Sequence, residues 1–483
     1  MSKRKISSSE KNIFEYAFTK NNFIYLILFS LAVILFLSYN SRGWSDYFPG
    51  FESNYNQRIA RQTNILNQEI NLKDNLSIHN TQIHYNLYNL FLSFLSEFPA
   101  FYLSVINVIL SLLLAFLFHK FLRDNHASKL VANIATLILI FSPIFIFYSI
   151  SLSVVILFTI IVILSLLSLK KKYSVLTIFL ALIVPLFGIN FTVIYLFIIL
   201  SYSIFINRIK YFYVIFGVVI GSALLIDHIF FGFSVFSFPS MTTYSLIREL
   251  ISEFGGIRGI SIMTFSLFGF GFMKLFFDKK KNVMQFLFLT AVISIFFFEY
   301  RFFFILNFAI SVYAAYGLSH LIRRKWFSED LKNLTILIIL CGIAFTYLSF
   351  FGRFADIEPR EYHISSLEFL AQQDLGVVFT IQNLSPYVQN IADMPIIIDS
   401  FSYNHEILSD IRNILHSQDL RTTISLLNKY DVKYIYIDET MKSTEWQHKE
   451  KGLLFVLSDR NNFELIFSDD FVSIWKLIPQ DNG

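Results

Sequence analysis

The residues best suited to chemistry are a few acids and arginines set between long apolar runs. The stretch GWSDYFPGFESNYNQRIARQ carries Asp46 and Glu52, with Arg42, Arg58 and Arg61 around them. A second stretch, LIRELISEFGGIRG, supplies Arg248, Glu249, Glu253 and Arg258. Glu299-Tyr300-Arg301 separates two apolar runs, and Asp227-His228 closes another. A carboxylate in such a place can take a proton from an acceptor hydroxyl. A guanidinium fork can hold phosphate oxygens in pairs. Acids and arginines beside an apolar wall therefore suit a phosphate carried on a lipid. The same residues also fit solvated ion pairs worth at most about 1 kcal/mol each, and Arg301 also fits an anchor that snorkels to the membrane interface. His79 and His84, five apart, are poor partners for one metal ion on a helix face. The single cysteine, Cys341, excludes a disulfide framework and any CxxC motif.

The elements that must position these groups are read from composition. Of 483 residues, 55% are hydrophobic and 15% charged, with a mean hydropathy of +0.57. This balance excludes an ordinary soluble enzyme and a disordered chain. Residues 1–350 hold 28 Lys/Arg against 15 Asp/Glu, whereas 351–483 hold 11 against 20, which marks a domain boundary near residue 350. The basic residues fall in short clusters between apolar runs and form no continuous face for nucleic acid.

Apolar stretches near the roughly 20 residues that cross a bilayer lie at 23–39, 99–118, 130–148, 151–169, 173–187, 190–206, 211–231, 259–277, 283–298, 302–320 and 333–350. Alternate connections carry 20 of the basic residues, and the other side of the membrane part receives seven. The positive-inside rule then predicts a cytoplasmic N-terminus and an extracytoplasmic tail. Ser41-Arg42-Gly43-Trp44 after the first span is no cleavage site, so that span reads as an anchor. The expected architecture is a polytopic all-α membrane bundle of about 11 helices over 1–350, with long outer loops at 40–98 and 232–258. In the first loop, the aromatic residues and the spacing over 83–98 predict one or two helices along the membrane surface. The tail, 351–483, reads as a small extracytoplasmic α/β domain. Strands are expected at 377–381, 395–399, 433–438, 463–467 and 472–477, and helices at 406–416 and 420–429, with Asp469-Asp470 turning the last hairpin.

Four stretches carry a resemblance to a family. Phe51-Glu52-Ser53-Asn54-Tyr55, with Ala60 downstream, is similar to a D-E-x-x-Y-…-A pattern in a first outer loop. His84-Tyr85-Asn86-Leu87-Tyr88-Asn89-Leu90 sits where a P-L-Y-type motif precedes the second span. Ser142-Pro143 through Ser149 is similar to an S-P-x-x-x-x-x-S turn, and Tyr300-Arg301-Phe302-Phe303 through Ala314-Ala315-Tyr316-Gly317-Leu318 to an R-Y/F-…-A-A-x-G-L span. With the tail stretches LLNKYDVKYIYIDE and FELIFSDDFVSIWKL, the chain resembles the GT-C superfamily of membrane glycosyltransferases. That group includes protein O-mannosyltransferases, aminoarabinose transferases and oligosaccharyltransferase catalytic subunits.

The resemblance implies transfer of a sugar from a polyprenyl-phosphate carrier to an acceptor at the outer face of the cell membrane. It implies Glu52 as general base, with Asp46 as the alternative because Phe51 stands where the first acid of the pair is expected. It implies Arg301 as the donor-phosphate ligand; Arg58 and Arg258 are further phosphate candidates, and Arg248, Glu249 and Glu253 are candidates from the second loop. Tyr148-Ser149-Ile150-Ser151 lacks the acidic pair of the metal-dependent members, and no W-W-D-Y-G motif is present. Metal-independent, inverting transfer with no cofactor is thus the expectation, and the identities of sugar and acceptor are open. Two other readings stand beside it: a non-catalytic binder of lipid-linked glycan, and a flippase for the same lipids. Scarce intramembrane charge and the absence of paired broken helices count against the flippase.

Overall fold

The computed structural model describes residues 23–41, 47–62, 76–78, 87–95, 100–171, 174–230, 250–256, 259–277, 301, 303–398, 404–446 and 452–478. The chain divides into two compact units. One comprises Met1–Ser45 and Phe101–Ala355; the other comprises Asp46–Ala100 and Asp356–Gly483. The first outer loop, expected within the membrane part, thus groups with the tail.

The first unit is helical. Among the described residues, four helices are long and apolar enough to cross a bilayer: Tyr102–Asp124, Val154–Lys171, Phe303–Arg323 and Glu329–Phe354. Lys129–Ile140 and Pro143–Ile150 make a fifth span as a pair bent by 61°. Shorter apolar helices occupy Tyr25–Ser38, Val175–Phe187, Ile189–Phe205, Ile209–Leu224 and Ile262–Phe277. The expected span at 283–298 lies outside the described residues. Large apolar side chains such as Phe29, Phe36, Phe179 and Phe345 face outward from these helices, as lipid contact requires. The protein is a membrane protein. Cys341, also exposed, belongs to this outward apolar surface.

The bend in the pair follows from Ser142-Pro143. Proline removes a backbone donor and ends the preceding helix. Ser142 then caps the next helix by accepting from Phe145 N–H at 3.4 Å. The Asn107 amide holds the far end, donating to the carbonyls of Tyr148, Ser149 and Ser151 at 2.9, 3.2 and 2.6 Å.

The helices Ile262–Phe277 and Phe303–Arg323 approach until their backbones touch. A Cβ on Gly271 would collide with the Tyr313 carbonyl, and one on Gly317 with the Leu267 carbonyl. Both obstacles are backbone and cannot rotate away. Gly317→Val is therefore expected to cost at the upper end of the ~1–3 kcal/mol typical of overpacking. Thermal unfolding in detergent checks this, with Gly269→Ala on the same helix as the control, since Gly269 has nothing within 4 Å.

The second unit contains a four-stranded sheet of β1 (Val377–Phe379), β2 (Val432–Ile437), β3 (Phe463–Ser468) and β4 (Ser473–Leu477), in the order β1-β2-β4-β3. β1 pairs with β2 in parallel, and the other pairs are antiparallel. Alternation on β2 sends Ile435 and Ile437 to one core and Tyr434 and Tyr436 to the other. His405–His416 and Leu420–Lys429 cover the first core, and Glu361–Ala371 the second. Asp469 turns the β3–β4 hairpin, its carboxylate accepting from the N–H groups of Phe471 and Val472. Of the strand expected at 395–399, the described residues 395–398 form only isolated bridges, from Ile396 to Ser77 and Val378. Residues 76–78 of the first loop take the pairing on one side, through Ile396 N–H to Leu76 O at 3.0 Å and Ile78 N–H to Ile396 O at 3.2 Å.

Candidate active site

Glu52 opens the helix Phe51–Gln62. Apart from Phe51, Tyr55 and Ile59 along one side, its sequence is mostly polar, yet residues 52–60 are all buried. A mostly polar helix is stable in the interior only if protein groups meet its hydrogen bonds. They do so at its start. Gly50, at φ +84°, sets the turn and donates its N–H to Glu358 O at 2.8 Å. Ser53 Oγ donates to Pro49 O at 2.8 Å, and Asn54 Nδ2 donates to Phe48 O at 2.8 Å and Gly50 O at 3.0 Å. A carboxylate in the first turn is favoured by the helix dipole.

Glu52 is 7% exposed, and close to it lies Tyr88 of the helix Leu87–Ser93, at 1%. Burial raises the Tyr88 hydroxyl pKa far above its ordinary value, and the Glu52 charge adds to the rise. The phenol is therefore a neutral hydrogen-bond donor beside the acid. Arg58, also buried, lies with its guanidinium over the Tyr55 ring, 5.3 Å from the centroid.

Arg301 stands in the first unit, partly buried, two residues before the helix Phe303–Arg323. The first turns of that helix are fixed to the bent pair. Asn307 Nδ2 donates to Ser142 Oγ at 2.7 Å, and the Phe304 ring lies 5.2 Å from that of Tyr148 and 5.9 Å from that of Phe145. A guanidinium next to the positive end of a helix dipole favours an anion.

Glu253 is exposed but committed. Its Oε1 accepts from Ser261 Oγ at 3.0 Å and Thr346 Oγ1 at 2.5 Å, and its Oε2 accepts from Ile262 N–H at 2.9 Å, where the helix Ile262–Phe277 starts. Arg353 ties the same turn through Ser252 and Gly256. The geometry gives Glu253 a capping role. Of the expected residues, Glu52 and Arg58 share one helix of the second unit, while Arg301 and Glu253 belong to the first. Asp46, Arg248, Glu249 and Arg258 lie outside the described residues, as do His79 and His84.

The tail holds a cluster that sequence reasoning missed. Metal-type ligand atoms of Glu358, His363 and Asp438 lie within 4.8 Å of one another. His363 Nδ1 accepts the Arg360 N–H at 3.2 Å, so Nε2 carries the ring proton and donates to Asp438 Oδ2 at 3.2 Å. Asp438 Oδ1 accepts from Met441 N–H at 2.7 Å. A cation at Nε2 would have to displace that proton, so the residues fit a hydrogen-bonded network better than a metal centre. No local motif marks the set, because His363 and Asp438 are 75 residues apart.

Burial pushes the Glu358 carboxyl pKa above its ordinary value; Asp438 adds to the shift and His363 opposes it. The fold thus binds this proton more tightly than the unfolded chain does. Its contribution is fully present at acid pH and lost as pH rises through the raised value. Glu358→Gln, which keeps a neutral group there, is expected to unfold at a higher temperature than wild type at neutral pH. The gap should close as pH falls into the ordinary carboxylate range, and thermal unfolding across pH reads it directly.

No family sequence model and no curated protein sequence matches the chain. Solved structures do match. The archaeal oligosaccharyltransferase AglB from Archaeoglobus fulgidus, in complex with an inhibitory peptide and a dolichol-phosphate, is similar at TM-score 0.60 and 13% identity, over 92% of this chain and 73% of that one. ArnT from Cupriavidus metallidurans matches at TM-score 0.59 and 10% identity, over 95% and 99%. The arabinofuranosyltransferase AftD from mycobacteria matches at TM-score 0.54 and 13% identity, over 95% and 40%.

Proposed function

From the GT-C-like fold that these likenesses establish, we propose that the protein is a membrane glycosyltransferase using a polyprenyl-phosphate-linked sugar at the extracytoplasmic face. The observation that carries the reading is Glu52: a buried carboxylate at the start of a buried polar helix in a chain of this fold. Glu52 takes the proton of the acceptor hydroxyl as its oxygen attacks the anomeric carbon from the back face. The bond from that carbon to the phosphate oxygen breaks, and its electron pair leaves on the phosphate. Arg301 stabilises the charge that develops there. The anomeric centre inverts, no divalent metal takes part, and Asp46, Arg58 and Arg258 are supporting candidates for the acid and phosphate roles.

The AglB structure contains a dolichol-phosphate, which supports a lipid-phosphate donor for this chain. Phe51, in place of the expected first acid, favours the second reading, a non-catalytic binder of lipid-linked glycan. Single-turnover incubation with radiolabelled polyprenyl-phosphate hexoses separates the two, since a binder retains the label on the lipid and a transferase releases it.

A further inference from the structure

A side chain of the tail, Asn390, reaches the helix that carries Glu52. Val388–Ala392 forms a short π-helical turn, ended by Asp393 at φ +53°. Such turns interrupt regular geometry and recur at functional sites. Within it, Asn390 Nδ2 donates to Asn54 Oδ1 at 2.9 Å and to Gln57 Oε1 at 3.0 Å, so both its protons serve the Phe51–Gln62 helix. The neighbouring Gln389 Nε2 donates to Leu76 O at 3.0 Å, fixing the chain beyond that helix. All four side chains of these contacts are buried: Asn54, Gln57, Gln389 and Asn390.

Asn54 cannot turn its amide to accommodate a change at Asn390, because its own NH2 is committed to the carbonyls of Phe48 and Gly50. Asn54 and Gln57 are three apart and share one face of the helix. Glu52 lies about 200° around the axis from Asn54 and about 140° from Gln57, so the grip falls on the face opposite the acid. It fixes the helix without occupying the side on which Glu52 stands.

We infer that Asn390 is a positioning residue: its amide sets the rotation and depth of the Phe51–Gln62 helix and so the place of the Glu52 carboxylate. The role in transfer rests on the reading of Glu52 as general base, whereas the grip on the helix does not. Asn390→Ala removes the donor. Asn390→Asp sets a carboxylate against the pinned Asn54 oxygen and should loosen the helix further.

Amide hydrogen exchange on the full-length protein in detergent tests the grip. In both variants, exchange over 51–62 should rise at least about tenfold while the amides of β1 and β2 keep wild-type protection. The same samples, given radiolabelled polyprenyl-phosphate hexose, should show kcat lower by about 10–100-fold with KM for the donor unchanged. Unchanged exchange over 51–62, or equal loosening through β1 and β2, overturns the inference, the latter because Asn390 is then merely a core residue. If Asn390→Asp accumulates poorly, Asn390→Ala carries the test alone. Loosening of 51–62 in a protein whose Glu52→Gln form keeps full activity would uphold the grip and refute the base, so the two failures are distinguishable.

Discussion

Glu52→Gln is expected to lower sugar release from the lipid carrier by about 10³-fold, within the range that a positioned general base contributes. The amide has nearly the shape of the carboxylate but takes no proton from the acceptor. Its effect should therefore lie in kcat, with the KM of the donor near wild type. The protein should still accumulate in membranes, because Gly50, Ser53 and Asn54 hydrogen-bond the start of the helix. Glu52→Asp should fall between the two, as it keeps the base but withdraws it by one methylene. Steady-state release of label from the donor, compared across the three proteins at matched membrane levels, measures this. Activity retained in Glu52→Gln and lost in Asp46→Asn would transfer the role to Asp46.

Arg301→Ala is expected to reduce transfer by about 10²–10³-fold, the loss seen when a donor aimed at developing charge is removed. A phosphate ligand acts on the bound donor as well as on the departing group, so KM should rise alongside the fall in kcat. Arg301→Lys should recover only part of the rate, since an ammonium keeps the charge but not the paired hydrogen bonds of a guanidinium. An arginine that only snorkels would behave differently: lysine would serve as well, and alanine would lower accumulation rather than turnover. Kinetics and membrane abundance measured on the same preparations decide between them.

The membrane unit was legible because lipid leaves so few alternatives. Apolar runs of sufficient length must become helices, but the run at 130–148, expected as one span, is broken at Ser142-Pro143 by a 61° bend. The close crossing at Gly317, where two helix backbones meet, was not read from the sequence. β2, β3 and β4 followed from apolar or alternating runs of strand length, and β2 is apolar from Tyr434 to Ile437 because it faces a core on each side. The helix Phe51–Gln62 was not legible in this way. Its apolar side, Phe51, Tyr55 and Ile59, is narrow, and its hydrogen bonds reach Asn390, 336 residues beyond Asn54. The bridges at Ile396 escaped for the same reason, as they are completed by residues 76–78 from the first loop.

The most direct test of lipid-linked sugar transfer follows the fate of a labelled donor in sealed vesicles containing either the wild-type protein or Glu52→Gln. In the wild-type vesicles, label should leave the polyprenyl phosphate and appear on an acceptor with inverted anomeric configuration, while Glu52→Gln leaves it on the lipid. Label that stays on the lipid in both, or crosses the vesicle membrane still attached to it, would contradict the account.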